Sequence, residues 1–344
     1  MRSPWFLMLA AEYVRWTGDV AFFHQLRDNI NRALDWMDEN EKEHSHGFLT
    51  YGTKSEKGLI NQGWKDSDNG IVNEDGSLVE PPVALVEVQG YAYRARRDIA
   101  DILRMIGDED SAQTLEQKAE ALKQRFNETF WMDDAGFYGF ALQRGGRLSR
   151  AIASNPGQTL FTGIVTEERA RKVADRLMQD DLFCGWGIRT LSEQEVAYNP
   201  LDYQVGSVWP HDNALIALGM RRWGETEHLD RLFTGIYEAA TQFTDFRLPE
   251  VFDGFSLSQY TRPVKYPVAC SPQAWAAGAL PLLLQSALGL QPHAMRKMLY
   301  IYRPHLPQWL GDVTVRSLRC SREGDTTLVA VLKREGDVMV QVEY

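Results

Sequence analysis

Two carboxylate-bearing segments carry residue types suited to chemistry. Asn61-Gln62-Gly63-Trp64-Lys65-Asp66-Ser67-Asp68-Asn69 is polar and contains glycine, yet it holds a tryptophan. Phe246-Arg247-Leu248-Pro249-Glu250-Val251-Phe252 places a glutamate after a proline among apolar residues. Burial among apolar neighbours raises a carboxyl pKa and an ion-pair partner lowers it. One protonated and one ionised carboxyl, on opposite sides of the scissile bond, are what inverting glycoside hydrolysis needs. The two segments lie far apart in the chain, so only a compact fold unites them. On residue type alone the bland readings stay open: Asp66 and Asp68 as turn acids, and Glu250 as an ion-pair partner.

A third polar-aromatic run, Tyr203-Gln204-Val205-Gly206-Ser207-Val208-Trp209-Pro210-His211-Asp212-Asn213, feeds into a helix near Pro210. Ser207, His211 and Asp212 invite a nucleophilic triad, but no Gly-x-Ser-x-Gly elbow surrounds Ser207. The run reads better as a sugar-binding loop. His44 and His46 sit near acids in a turn, without the further His or Cys that a zinc site takes, and read as a solvated loop.

These segments need elements to position them. Helical periodicity dominates up to about residue 290. It predicts helices over 4–16, 20–40, 81–106, 109–130, 158–165, 167–180, 209–223, 226–243 and 272–288. A short junction recurs as Trp16-Thr17-Gly18-Asp19, Met105-Ile106-Gly107-Asp108 and Arg222-Trp223-Gly224-Glu225. Glycine takes the left-handed conformation that ends a helix, and an acid caps or favours the next helix start. Three such turns imply three antiparallel helix pairs, as in superhelical repeats and α/α barrels. The linkers 44–76, 131–157 and 181–208 are long and rich in Gly, aromatic and acidic residues, which suits an active site at one end of a helical scaffold. The last stretch changes character. Val313–Cys320 largely alternates, Thr327–Lys333 is apolar and Val338–Glu343 alternates in part, with turns at Glu323-Gly324-Asp325 and Glu335-Gly336-Asp337. This predicts a small antiparallel β appendage that begins after Arg303-Pro304. The division drawn is 1–292 for the helical catalytic domain and 293–344 for the appendage.

Composition excludes several classes. The chain has 344 residues, 44% hydrophobic and 24% charged, which suits a globular protein with a large core. Lys plus Arg is 37 against 47 for Asp plus Glu, a net charge of −10, so the field that drives nucleic-acid binding is absent. No apolar run reaches membrane-spanning length, and the first residues read as an amphipathic helix rather than a signal peptide. Three scattered cysteines suggest neither disulfides nor zinc and fit a reducing cytoplasm. The 10 Trp, 13 Tyr and 15 Phe include rings able to stack on sugar faces, although most such rings serve a core.

With these segments on the page, the sequence resembles the amylo-α-1,6-glucosidase (glycogen-debranching) family of inverting (α/α)6-barrel glycoside hydrolases. The resemblance rests on 4–19, 61–67, 84–93, 206–219, 247–254 and 266–278, most of the helical part. It implies a mainly α fold, an (α/α)6-type toroid with a small C-terminal antiparallel β appendage. It implies Asp66, in Trp-x-Asp, as general acid and Glu250, in Leu-Pro-Glu, as general base, with roughly 6.5–9.5 Å between them for the attacking water. Trp64, Glu87, Gln89, Trp209, His211 and Asn213 become sugar contacts. Lys65 and Asp68 become neighbours that tune Asp66, and Asp68 is the alternative acid. The expected substrate is an oligo- or polysaccharide, through α-1,6-linked glucose stubs. The alternatives are a small glycoside such as a glycosylglycerate or a trehalose-like sugar, or a non-catalytic saccharide-binding remnant. No metal or organic cofactor is called for, because two carboxylates and a water suffice. About nine helices are countable where a closed barrel of this type takes about twelve. That leaves room for a missing first helical pair, an upstream N-terminal domain, or half of a split enzyme.

Overall fold

The computed structural model describes residues 2–43, 46–53, 57–320, 326–334 and 337–343. Helices α1 (Arg2–Thr17), α2 (Val20–Glu43), α3 (Val86–Met105), α4 (Glu109–Thr129), α5 (Asn155–Thr162), α6 (Glu167–Leu177), α7 (Pro210–Trp223) and α8 (Thr226–Gln242) form four successive pairs. They are followed by a single turn, α9 (Ala274–Ala277), and by α10 (Ala279–Leu288). The first member of each pair faces inward: α1 packs on α3, α3 on α5, α5 on α7 and α7 on α10. The second members α2, α4, α6 and α8 each pack on the helix before them.

Sequence explains this layering. In α2 the buried residues Phe23, Ile30 and Met37 recur every seven positions, one stripe of an outer helix. All eight residues of α5 are buried, as befits a helix enclosed on every side. The predicted junctions hold their geometry. Gly18, Gly107 and Gly224 have φ of 70°, 90° and 81°. Asp19 accepts from the Phe22 amide at 2.9 Å and Asp108 from the Ser111 amide at 3.3 Å, while Glu225 makes no side-chain cap. A fourth junction, Gly163 with Thr166 capping Arg169 N, joins α5 to α6.

Two predicted helices differ from those observed. The helix expected from Pro81 starts at Val86, because Ala84–Leu85 (β1) pairs with Ala141–Leu142 (β4), which also pairs with Leu148–Ser149 (β5). Trp131–Met132 (β2) and Phe137–Tyr138 (β3) form a second ribbon. The helix expected over 272–288 is broken at Gly278 into α9 and α10.

After α10, Leu290–His293 (β6) and Met298–Ile301 (β7) form a hairpin that packs against α1. Gly18, at the left-handed turn between α1 and α2, lies in van der Waals contact range of the Ala294 backbone of this hairpin. The 292/293 division drawn from the sequence falls inside this hairpin. The last strands, β8 (Val313–Arg319), β9 (Thr326–Arg334) and β10 (Asp337–Glu343), make an antiparallel sheet in the order β10-β9-β8. The turn Glu323-Gly324-Asp325 and residues Glu335-Gly336 lie outside the described residues, as does His44. No helix among the described residues is long and apolar enough to cross a membrane.

Candidate active site

The segment bearing Asp66 lies between α2 and α3 and is pinned from inside. Buried Asn61 donates to Ser67 O at 2.8 Å and to Asp68 O at 3.3 Å, and accepts from the Tyr51 hydroxyl at 2.8 Å. The Lys65 ammonium turns inward and reaches the Thr190 carbonyl at 2.6 Å. Alternate residues of this stretch thus point opposite ways, and Asp66 is left exposed at the surface of the loop.

Glu250 comes from the other side of the fold. The chain 246–270 doubles back on itself: Glu250 N donates to Cys270 O at 3.0 Å, and Cys270 N donates to Glu250 Oε2 at 3.1 Å. Asp253 receives the amides of Phe255 and Val264 and braces the return. Val208 bridges Phe252 backbone to backbone, so the Tyr203–Asn213 run lies beside Glu250. Gly254 approaches Gly206 so closely that any side chain there would collide with the Gly206 carbonyl, at 1.9 Å.

Tyr203 links the two carboxylates. Burial pushes the pKa of its hydroxyl upward, and so do the nearby carboxylates of Glu250 and Asp66. Aromatic rings complete the surroundings. Tyr203 meets Trp209 at 4.8 Å and Tyr266 at 5.3 Å, and Trp64 meets Trp209 at 5.6 Å and His211 at 5.0 Å, centroid to centroid. His211 stacks flat on Trp275 at 4.1 Å. Neither ring nitrogen of His211, nor Nε1 of Trp64, has a protein partner among the described residues. Burial lowers the His211 pKa to about 3, so the ring is neutral and offers one donor and one acceptor.

The sequence-predicted residues divide into two groups. Asp66, Glu250, Trp64, Trp209 and His211 come together. Lys65, Gln89 and Asn213, expected near the sugar, are fully buried with backbone partners instead. Gln89 exchanges bonds with both Leu49 backbone groups at 2.9 Å. Asn213 accepts from Ile188 N at 2.6 Å and donates to Ile188 O at 3.1 Å. These three bond the backbone of neighbouring loops. Asp68 is exposed in the same loop as Asp66. Sequence reading passed over Tyr203, Gln204, Tyr266 and Trp275. The first two lie within a run already singled out, whereas Trp275 stands in an alanine-rich stretch that reads as plain helix.

Beneath Trp64 lies a buried polar group of Lys65, Glu87 and Asp212. Loss of hydration lowers the Lys65 pKa to about 7, against the pull of Asp212 and Glu87. It raises that of Glu87 to about 7, with Asn155 alongside but outside ordinary hydrogen-bond geometry. Asp212 is raised as well, and accepts from Gln158 at 2.5 Å. A carboxyl whose folded pKa exceeds its unfolded value binds more protons when folded. Its contribution to stability is therefore present at low pH and is lost as pH rises through the folded pKa. Between pH 5 and 7 the wild type should lose about 2 kcal/mol relative to Glu87→Gln, an amide that stands in for the protonated acid. Urea midpoints of both proteins at the two pH values check this; equal differences at both would contradict it.

The Ser207 hydroxyl donates to Tyr203 O at 2.7 Å, and His211 is enclosed by indoles, so the triad Ser207–His211–Asp212 is not assembled. Among the described residues, Asp175, Glu225 and His228 bring metal-ligand atoms within 4.8 Å of one another, but His228 is bonded to Asp175 at 2.8 Å.

Comparison with known proteins agrees with a carbohydrate site. Two solved structures share the fold over 98% of this chain and 31% of their own: a sialidase, at TM-score 0.73 and 12% identity, and the GH78 rhamnosidase of Bacillus sp. GL1, at 0.68 and 16%. A mannosylglycerate hydrolase of Rubrobacter radiotolerans is 29% identical over 144 residues, 40% of this chain and 32% of that protein. The chain thus spans about a third of the length of each of these three proteins. Residues 1–256 match the mannosylglycerate hydrolase MGH1-like glycoside hydrolase domain. The expected glycoside hydrolase is thus shown, but the family matched is the MGH1-like one, and glycogen debranching has no support. That match covers well over half of the residues, and the chain belongs to the MGH1-like family of glycoside hydrolases.

Proposed function

We propose that the chain carries the catalytic centre of an inverting hydrolase of a small α-glycoside, of the glycosylglycerate kind, with Asp66 as general acid and Glu250 as general base. The observation that carries this reading is the Tyr203–Gln204 pair: Gln204 reaches Asp66 Oδ1 at 3.5 Å, while Tyr203 beside it lies within the fields of both Asp66 and Glu250. Two carboxylates from distant segments thereby face one aromatic-lined site. Family membership and the mannosylglycerate hydrolase relative favour a small glycoside over α-1,6 stubs of a branched glucan.

In this mechanism Asp66 gives its proton to the glycosidic oxygen as the bond to the anomeric carbon breaks and its electron pair passes to that oxygen. Glu250 takes a proton from a water on the opposite ring face, and the hydroxide so formed bonds to the anomeric carbon with inversion. Trp64, with its unpartnered Nε1–H, and the neutral His211 offer apolar faces and single polar groups to the sugar, as saccharide sites require, and buried Trp209, whose N–H is taken by Tyr203 O, backs them. Sugar release from mannosylglycerate, glucosylglycerate, trehalose and limit dextrin tests the substrate class. Turnover of a glycosylglycerate above the others is expected. Preference for limit dextrin would overturn the substrate assignment.

A further inference from the structure

We propose that Gln204 is a positioning residue for Asp66, whose carboxamide fixes which oxygen of Asp66 carries the proton delivered to the leaving group. The inference rests on Asp66 being the acid. Gln204 has no exposed surface, yet all four of its side-chain bonds go to the Trp64–Ser67 loop. Its Oε1 accepts from Ser67 N at 2.8 Å and from Ser67 Oγ at 2.7 Å. Its Nε2 donates to Trp64 O at 3.2 Å and to Asp66 Oδ1 at 3.5 Å.

The orientation of this amide is forced from both ends. Ser67 N–H can only donate, so the amide oxygen must face it; the Trp64 carbonyl can only accept, so the amide nitrogen must face that. Asp66 Oδ1 therefore meets a donor, and a carboxyl proton placed there would oppose an N–H. The proton resides on Oδ2, the oxygen left free for substrate. At 3.5 Å the bond to Oδ1 is long, as catalytic hydrogen bonds are before substrate closes a site.

The arm that presents Gln204 is itself locked to the acid loop. Asn69 donates to Asp202 at 2.9 Å, and Lys65 bonds to Thr190, whose hydroxyl receives the Gly206 amide at 2.9 Å. Gly70 leaves space for the amide, since a side-chain carbon there would come within 3.0 Å of Gln204 Oε1.

The test uses Gln204→Met and Gln204→Glu in the full chain, with Asp66→Asn as reference. Gln204→Glu keeps an acceptor for Ser67 and loses the donors to Trp64 O and Asp66, whereas Gln204→Met loses both halves, so the substrate selectivity of the two variants, rather than either loss alone, reports on orientation of the acid. Each protein is assayed on a glycosylglycerate, whose alkoxide leaving group needs a proton, and on the dinitrophenyl glycoside of the same sugar, which leaves as an anion. General acid catalysis contributes about 10²–10⁴-fold, so misplacing the acid should cost about 10- to 100-fold in kcat on the glycosylglycerate. KM should stay within about threefold, and the loss on the dinitrophenyl glycoside should be under about threefold, because that step makes no use of the acid. Asp66→Asn should show the same selectivity with a larger loss. Equal losses on both substrates in the Gln204 variants, or wild-type rates, would overturn the positioning role alone. Equal losses on both substrates in Asp66→Asn would overturn the acid assignment and this inference with it. Thermal midpoints show which variants fold, and Gln204→Glu carries the test if Gln204→Met does not.

Discussion

Glu250→Gln is expected to lower kcat on the preferred glycoside by about 10³-fold or more, with KM changed little. The substitution is close to isosteric, and the surroundings accept it. The new amide oxygen can keep the Cys270 N–H that Oε2 receives at 3.1 Å, and the new NH2 can face the Tyr203 hydroxyl, which is able to accept. The backbone bond from residue 250 to Cys270 O, at 3.0 Å, does not involve the side chain. Folding stability should therefore change by less than about 1 kcal/mol. What is lost is the ability to take a proton from water. Steady-state kinetics with a thermal melt on the same preparation checks this; a fall of only a few fold would remove Glu250 from the mechanism.

Asp66→Asn is expected to lower kcat by about 10²–10⁴-fold on an alkyl-type glycoside. Asp66 is exposed, and among the described residues the one bond given to its carboxylate comes from Gln204, so an asparagine oxygen can take the same place and the loop stays as it is. Asp68 provides the control. It lies two residues on and is also exposed, but the loop is held there through its carbonyl, bonded to Asn61 at 3.3 Å, and not through its side chain. Asp68→Asn should keep activity within about threefold, since a surface substitution away from the site has small effects. Kinetics of the two variants side by side decides between them; the larger loss in Asp68→Asn would move the acid to that residue.

The helices were legible because each carries a one-sided apolar pattern or a glycine stop followed by a capping residue. Phe23, Ile30 and Met37 mark α2 as plainly as Gly107 and Asp108 mark the turn from α3 to α4. The two-residue strands β1 to β5 are too short for any alternation to register. The helix end expected at 288 is the observed end of α10, but the hairpin of β6 and β7 that follows has strands of only four residues, too short for alternation to register. The carboxylate segments were legible for their unusual company, a Trp in a polar loop and a Glu among apolar residues.

Burial of single residues was not legible. Lys65 lies in a polar stretch of the chain, yet it is wholly enclosed, because the Thr190 carbonyl and the carboxylates of Glu87 and Asp212 await it from distant segments. Gln89 and Asn213 resemble sugar ligands by type and turn out to bond the backbone of Leu49 and Ile188. A side chain's partner across the fold decides between these roles, and residue type alone does not contain it. The same holds for Gln204, an amide among aromatics whose partners lie in another loop.

The central claim is that Asp66 and Glu250 act from opposite ring faces with a water between them and the anomeric carbon. Proton NMR of the sugar released in the first minutes of hydrolysis of an α-linked glycosylglycerate, by the wild type and by Glu250→Gln, tests it most directly. The account predicts that the wild type releases the β anomer first, which then mutarotates, and that Glu250→Gln releases next to none. Release of the α anomer first, or equal release by both proteins, would contradict it.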